Sequence, residues 1–169
     1  MLITPGYLQT QVDAHDDESY GVASRIYAPF VSKLCNQLKV TEVLDYGAGK
    51  CRLFENLQVG HAMKLQAYDP AIPTLAARPS PSQMVCCLDV LEHIEPDCLD
   101  EVLDDLQALT LELGFFSIAT TPAIRKLSDG RNAHLIIEGA EWWLPKLLDR
   151  WELQVFQKIQ HGFFVVVTA

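Results

Sequence analysis

Apolar residues along the chain follow two alternating patterns, which predict strands and helices in turn. Short apolar runs predict strands, and apolar residues spaced three and four apart predict amphipathic helices. The expected strands cover 40–44, 65–68, 84–88, 115–119, 151–159 and 161–169, and the expected helices cover 19–38, 51–57, 97–111 and 138–150. This alternation favours βαβ units built around a parallel sheet.

The last two predicted strands are nearly contiguous, with His161-Gly162 between them, so they must pair antiparallel. The fold class is therefore α/β, a Rossmann-like three-layer sandwich whose mostly parallel sheet ends in an antiparallel C-terminal hairpin. Residues 1–38 are expected to form an N-terminal arm and helical cap, in which Pro29 kinks the helix at 19–38 or splits it in two. The domain proper is expected at 39–169.

The acidic arm at 1–18 carries His15 and could fold over a site as a lid, although we expect it to be solvated.

Composition sets broader limits on the whole chain. Its 169 residues are 49% hydrophobic, and 22 acidic against 13 basic residues give a net charge of −9. That charge disfavours non-specific nucleic-acid binding.

Other features of the sequence indicate the compartment. No apolar run is long enough to cross a bilayer, and the first residues lack the basic and apolar blocks of a secretory signal. The five cysteines include no CxxC pair, which makes a disulfide framework improbable. We therefore expect a soluble, cytoplasmic protein without a membrane partner.

The candidate ligand-binding residues follow the predicted strands, because ligands in open parallel sheets lie beyond the carboxyl ends of the strands. Gly47 and Gly49 allow a sharp turn after the first strand, and Asp69 follows the second, where a carboxylate can accept hydrogen bonds from ribose hydroxyls. Arg52 stands where a dinucleotide fingerprint needs its third glycine, and the chain has no P-loop. These residues favour a nucleoside ligand without pyrophosphate.

Four segments resemble the class I S-adenosylmethionine-dependent methyltransferases. VLDYGAGK (43–50) is similar to the glycine-rich first motif of that family, and Asp69 matches its ribose-binding acid. CCLDVLEHIEP (86–96) is similar to its fourth-strand signature, and NAHLIIEGAEWWLPKLL (132–148) resembles a segment in which many small-molecule members carry a histidine. The resemblance implies S-adenosylmethionine as the cofactor.

The resemblance also implies roles for individual residues. Asp45, Gly47 and Gly49 would line the methionine end of the cofactor, and Asp69 would bind the ribose. Two further residues would lie beside the cofactor near the methyl group: Asp89 and Val90. The chain departs from the family between the second strand and the fourth-strand motif, because residues 70–82 are too few and too rich in proline for another strand and helix. The third strand is expected to be missing or vestigial, with Ile72 or Leu75 against the adenine.

Two histidines are candidate general bases for an acceptor that must lose a proton: His93 and His134. The alternatives are that His93 only begins a helix and that His134 is an ordered loop residue. Arg131 and Asn132 are candidate substrate-binding residues, unless Arg131 simply pairs with Asp129. No histidine, cysteine or acidic residues show the spacing of a metal site, so no metal is expected.

The predicted function is that of an S-adenosylmethionine-dependent methyltransferase acting on a small-molecule O or N acceptor. A catalytically idle nucleoside-binding or scaffold domain remains an alternative, as does a methyltransferase acting on a protein side chain. The sequence leaves open whether the protein is a monomer or a homodimer.

Overall fold

The computed structural model describes residues 1–169 and contains one six-stranded sheet. The helices are α1 (Pro5–His15), α2 (Ala28–Leu38), α3 (Arg52–Asn56), α4 (Leu99–Leu109) and α5 (Ala140–Leu148). The strands are β1 (Glu42–Tyr46), β2 (Lys64–Tyr68), β3 (Ser82–Leu88), β4 (Thr110–Ala119), β5 (Glu152–Ile159) and β6 (Gly162–Thr168). Three short 3-10 turns cover Ala23–Ile26, Leu91–His93 and Pro96–Cys98.

The strand order in the sheet is β2-β1-β3-β4-β6-β5. The strands β2, β1, β3 and β4 are parallel, whereas β6 runs antiparallel to both β4 and β5. The prediction of a mostly parallel sheet with an antiparallel C-terminal hairpin is thus confirmed. The chain forms no strand between β2 and β3, so the predicted absence of a strand at that position is also confirmed. As a result, β2 is an edge strand of the sheet.

Each face of the sheet carries its own apolar core. Residues of α4 and α5 pack into a cluster of 20 buried residues on one face, and residues of α2 and α3 pack into a cluster of 14 on the other. Cys86 and Cys87 fall in different clusters, as adjacent residues of a strand must. These two cores produce the three predicted layers.

The N-terminal segment differs from its prediction in two respects. Residues 1–18 do not form a solvated arm, because α1 packs against the protein with Tyr7, Gln11 and Ala14 buried. The helix expected at 19–38 is split near Pro29 and not kinked, and only its second part is α-helical. Pro29 lies in the first turn of α2, where its missing N–H costs nothing. The preceding residues form the short turn Ala23–Ile26 instead.

Specific contacts hold α1 and the residues after it over the carboxyl ends of the strands. The Tyr7 hydroxyl donates to the carbonyl oxygen of His93 at 2.7 Å. The Lys50 Nζ donates to the carbonyl oxygen of His15 at 2.8 Å, and the Lys50 N–H donates to that of Gly21 at 3.1 Å. None of the helices combines the length and the apolar character that a membrane span requires.

Candidate functional site

A cavity of about 1150 Å³ lies at the carboxyl ends of the parallel strands. One wall is formed by the loop after β1 and by the ends of β2 and β3, including Gly47, Gly49, Asp69 and Val90. The opposite wall comes from α1 and the segment that follows it. The fold thus brings the strand-end motifs, far apart in sequence, around one space.

The glycine loop after β1 is shaped by close packing against protein atoms. Gly47 and Gly49 have φ angles of 75° and 50°, a region that L side chains rarely adopt. A Cβ at Gly47 would lie 2.5 Å from Cγ2 of Val90, and one at Gly49 would lie 2.8 Å from the carbonyl oxygen of Gly21. Both glycines line the cavity, yet they are needed to seat the loop between its neighbours.

The carboxylate of Asp69 is buried at the end of β2 and lines the cavity. Its Oδ2 accepts the N–H of Gly49 and its Oδ1 accepts the N–H of Ala71, each at 3.0 Å. A carboxylate offers about four acceptor positions, so roughly two remain after these bonds. The nearest basic side chain is His15, with its Nε2 3.7 Å from Oδ2.

The residues that follow Asp69 form the adjacent part of the wall, but they are not the predicted ones. Pro70 and Ala71 line the cavity, whereas Ile72 and Leu75 do not. The physical reason is a tight turn, in which the N–H of Asp69 donates to the carbonyl oxygen of Leu75 and the N–H of Ile72 donates to that of Asp69. This turn carries Ile72 and Leu75 away from the cavity.

Asp45 lies behind the glycine loop and does not line the cavity. It is 1% exposed, and it shares a face of β1 with Val43, which belongs to the core beneath α2 and α3. Its Oδ2 has no hydrogen-bond partner. Burial raises the pKa of this carboxyl to about 7, and the nearby charge of Asp69 contributes in the same direction.

Asp89 and Val90 follow β3 and both line the cavity. The Oδ1 of Asp89 accepts the hydroxyls of Ser117 at 2.7 Å and Tyr27 at 3.1 Å, and its N–H donates to the Ser117 hydroxyl oxygen at 2.9 Å. Val90 packs against Gly47, as described above. Asp89 is therefore fixed by two strands and the N-terminal cap.

His93 and His134 line the cavity with their rings perpendicular and their centroids 4.8 Å apart. The Nδ1 of His93 lies 2.8 Å from the carbonyl oxygen of Ala133, and that of His134 lies 2.6 Å from the carbonyl oxygen of Thr121. Because a carbonyl oxygen only accepts, each Nδ1 carries the proton and each neutral ring has its lone pair on Nε2. Burial lowers the pKa of His93 to about 4, with His134 as the next cause.

Glu92 lies in the 3-10 turn Leu91–His93 that follows β3. Its carboxyl is fully buried, and its Oε1 accepts the N–H of Ala119 at 2.8 Å because the turn after β3 directs it toward the end of β4. Burial, and then the charge of Asp89, raise the pKa of this carboxyl well above its usual range. One potential ligand atom from each of Glu92, His93 and His134 lies within 4.8 Å of the others, a cluster that the spacing argument missed.

Arg131 and Asn132 lie outside the lining of the cavity. The Nε of Arg131 donates to Oδ2 of Asp129 at 2.7 Å, the pairing that we considered as the alternative. The Asn132 side chain bonds both backbone groups of Ala123, and its Oδ1 also accepts the N–H of His134 at 2.9 Å. Asn132 thus positions the loop that carries His134.

The N-terminal segment supplies cavity residues, of which the sequence indicated only His15, through the alternative that the arm folds over a site. They come from α1 and the following turn and include Tyr7, Gln11, His15 and Tyr20. The ring of Tyr20 lies between those of His15 and His93, at centroid distances of 5.1 and 6.0 Å. Aromatic residues and glutamine carry no binding signal by themselves, so only their placement identifies them.

No protein-family model matches the chain, and no curated protein matches it in sequence. Several solved structures do match the fold of this chain. An O-methyltransferase family protein from Burkholderia thailandensis has a TM-score of 0.71 at 12% identity, and the match covers 99% of this chain but only 63% of that one. A methyltransferase from Aquifex aeolicus that depends on S-adenosylmethionine has a TM-score of 0.57 at 16% identity, covering 94% and 97% of the two chains.

A third structure is the 1,6-didemethyltoxoflavin-N1-methyltransferase of Burkholderia thailandensis, with a TM-score of 0.62 at 20% identity over 96% of this chain and 85% of that one. It was crystallised with 1,6-didemethyltoxoflavin and S-adenosylhomocysteine. This chain has the class I methyltransferase fold. Within that fold, the glycine loop, Asp69 and Asp89 occupy the strand ends at which the resemblance predicted cofactor contacts.

Proposed function

We propose that this protein is an S-adenosylmethionine-dependent methyltransferase acting on the oxygen or nitrogen of a small molecule. The observation that carries the proposal is the carboxylate of Asp69, which lies on the cavity wall, is fixed by Gly49 and Ala71, and retains about two acceptor positions. Those positions suit the two neighbouring hydroxyls of a ribose. Because the cavity lies in a methyltransferase fold, S-adenosylmethionine is the nucleoside ligand that the fold supports.

The residues of the cavity wall fit this cofactor. Asp69 would hold the ribose, Pro70 and Ala71 provide an apolar surface beside it, and the glycine loop with Asp89 and Val90 would flank the rest of the molecule. When bound, S-adenosylmethionine supplies a methyl group on a sulfonium, which the acceptor lone pair takes as the S–C bond breaks and its electron pair stays on sulfur. In this arrangement Asp45 does not contact the cofactor directly, because it does not line the cavity.

The two imidazoles are the groups placed to act on the acceptor. An O–H or N–H acceptor must release a proton when the new bond to carbon forms, and the Nε2 lone pairs of His93 and His134 can accept it. Their orientation is fixed by the bonds from each Nδ1 to a backbone carbonyl.

A small acceptor agrees best with the shape and charge of the protein. The cavity volume of about 1150 Å³ is close to the upper range of small-molecule sites, which is roughly 1,000 Å³. The net charge of −9 opposes the approach of a nucleic-acid backbone. The methyltransferase of similar fold that was crystallised with 1,6-didemethyltoxoflavin and S-adenosylhomocysteine supports a small molecule as the acceptor.

Calorimetry with S-adenosylhomocysteine tests the cofactor site. Asp69→Ala removes the acceptors for the ribose hydroxyls, and a hydrogen bond to a charged group contributes about 1.5–3 kcal/mol, so affinity should fall about 10- to 100-fold or more. The control is Asp104→Ala, which removes an exposed carboxylate of α4 outside the cavity. Equal affinities for wild type and Asp69→Ala would contradict the assignment of the ribose site.

Labelled methyl groups test the acceptor. Wild-type protein incubated with labelled S-adenosylmethionine and a cell lysate should transfer label to the low-molecular-weight fraction. Label in the protein fraction would instead indicate a protein side chain as acceptor. Binding of S-adenosylhomocysteine without any transfer would indicate a catalytically idle domain.

A further inference from the structure

We propose that Glu92, His93 and His134 form a binding site for a divalent transition-metal cation at the part of the cavity wall that the two histidines line. One ligand atom from each residue lies within 4.8 Å of the other two. Ligands on a common ion at 2.0–2.2 Å lie about 3–3.5 Å apart, so the widest pair must close by roughly 1.5 Å. Binding would draw the three side chains together by that amount while each Nδ1 keeps its bond to a carbonyl oxygen.

Glu92 provides the observation that points to a ligand. Its carboxyl is completely buried, its Oε1 is used by the N–H of Ala119, and its Oε2 has no hydrogen-bond partner. Buried polar atoms almost always have a partner, because leaving one unpaired costs about 1–3 kcal/mol. A cation bound among these three side chains would supply the missing partner of Oε2.

The two histidines are arranged as metal-binding histidines usually are. Each donates its Nδ1 proton to a backbone carbonyl, which leaves the Nε2 lone pair as the available ligand. Such a bond from the second ring nitrogen fixes the tautomer and the orientation of a ligating histidine.

The loop of His134 is fastened to the turn of Glu92 and His93 by backbone bonds. The N–H groups of Leu135 and Ile136 donate to the carbonyl oxygen of Glu92 at 2.8 and 3.0 Å, and Ala133 accepts from the ring of His93. This pairing connects residues about forty positions apart and holds the three side chains on a rigid base. Preorganisation of this kind reduces the cost of binding an ion.

The ligand set selects the class of ion and suggests its role. Two imidazoles and one carboxylate suit first-row divalent metals such as Mn²⁺, Co²⁺ or Zn²⁺, and three protein ligands leave coordination positions open. His93 and His134 line the cavity, so an open position would face the acceptor. Resting on the proposed function, we infer an acceptor with a hydroxyl or similar oxygen, whose pKa the cation would lower. With the cation bound, the Nε2 atoms of His93 and His134 are its ligands and no longer act as bases, so the proton of the acceptor would pass to solvent instead.

Titration of the untagged protein with Co²⁺ tests the site without any need for activity. Binding is followed by calorimetry and by the visible absorption of the ion, which changes when imidazole replaces water. We expect one Co²⁺ per chain, and an affinity lower by at least about 10-fold in Glu92→Gln and in His134→Ala. The control is His61→Ala, since His61 lies outside the cavity and bonds the carbonyl oxygen of Val40.

The folded state of each variant is checked by its melting temperature and by its affinity for S-adenosylhomocysteine. A wild type that does not bind Co²⁺, or that binds it equally well after Glu92→Gln and His134→Ala, would overturn the metal site. Retained binding of S-adenosylhomocysteine in that case would leave the proposed function intact. Co²⁺ bound by a protein with no affinity for S-adenosylhomocysteine would instead overturn the proposed function and leave the metal site.

Discussion

The buried carboxyl of Asp45 makes the stability of this protein depend on pH. Burial and the charge of Asp69 raise its pKa from 3.8 to about 7 in the folded state. A carboxyl whose folded pKa is raised binds more protons in the folded than in the unfolded chain, so stability falls as pH rises through this window. The stabilising proton is fully present below about pH 4 and is lost as the pH passes 7.

The size of the effect follows from the shift. A change of about three pKa units, at 1.36 kcal/mol each, amounts to about 4 kcal/mol above pH 8. About 1.5 kcal/mol of this is already lost at pH 5, so the group contributes a fall of roughly 2.5 kcal/mol between pH 5 and pH 8. Asp45→Asn cannot ionise and removes that fall while it keeps the shape of the side chain.

Urea unfolding at pH 5, 6.5 and 8, followed by tryptophan fluorescence, measures the effect. The free energy of unfolding of Asp45→Asn, relative to wild type, should increase by about 2.5 kcal/mol from pH 5 to pH 8. The control is Asp104→Asn, which changes a carboxyl that is 66% exposed and should not reproduce the increase of about 2.5 kcal/mol. Parallel curves for Asp45→Asn and wild type would refute the argument that this carboxyl is desolvated.

Two further substitutions test the cavity wall. Gly47→Ala should destabilise the protein by about 1–3 kcal/mol more than Gly130→Ala in urea unfolding, because both positions have positive φ but only a Cβ at Gly47 meets Val90. Equal losses of stability in the two variants would show that the contact with Val90 adds nothing to the cost of a Cβ at Gly47. Tyr7→Phe should cost about 1 kcal/mol in the same assay by removing the bond to the carbonyl of His93, and an unchanged stability would contradict the docking of α1.

Much of the fold was predictable because its signals are local. Neighbouring residues alone produce the apolar runs, the glycine turn and the short segment before β3. Together these signals predicted a mostly parallel sheet without the strand that the family places between β2 and β3. The adjacency of β5 and β6 left only an antiparallel pairing. Asp69 was likewise predictable, since the residue that ends a parallel strand must lie at the ligand-binding edge.

The sequence by itself therefore determined the order of the elements, the carboxyl ends of the parallel strands as the place of the candidate site, and the acid at the end of β2. Only the tertiary structure decided that α1 covers the cavity, that Asp45 lies behind the loop, and that His134 meets Glu92 and His93. Those outcomes depend on contacts between segments that are distant along the chain, and hydrophobic periodicity does not predict such contacts. Side-chain direction and long-range pairing arise only when the whole core packs.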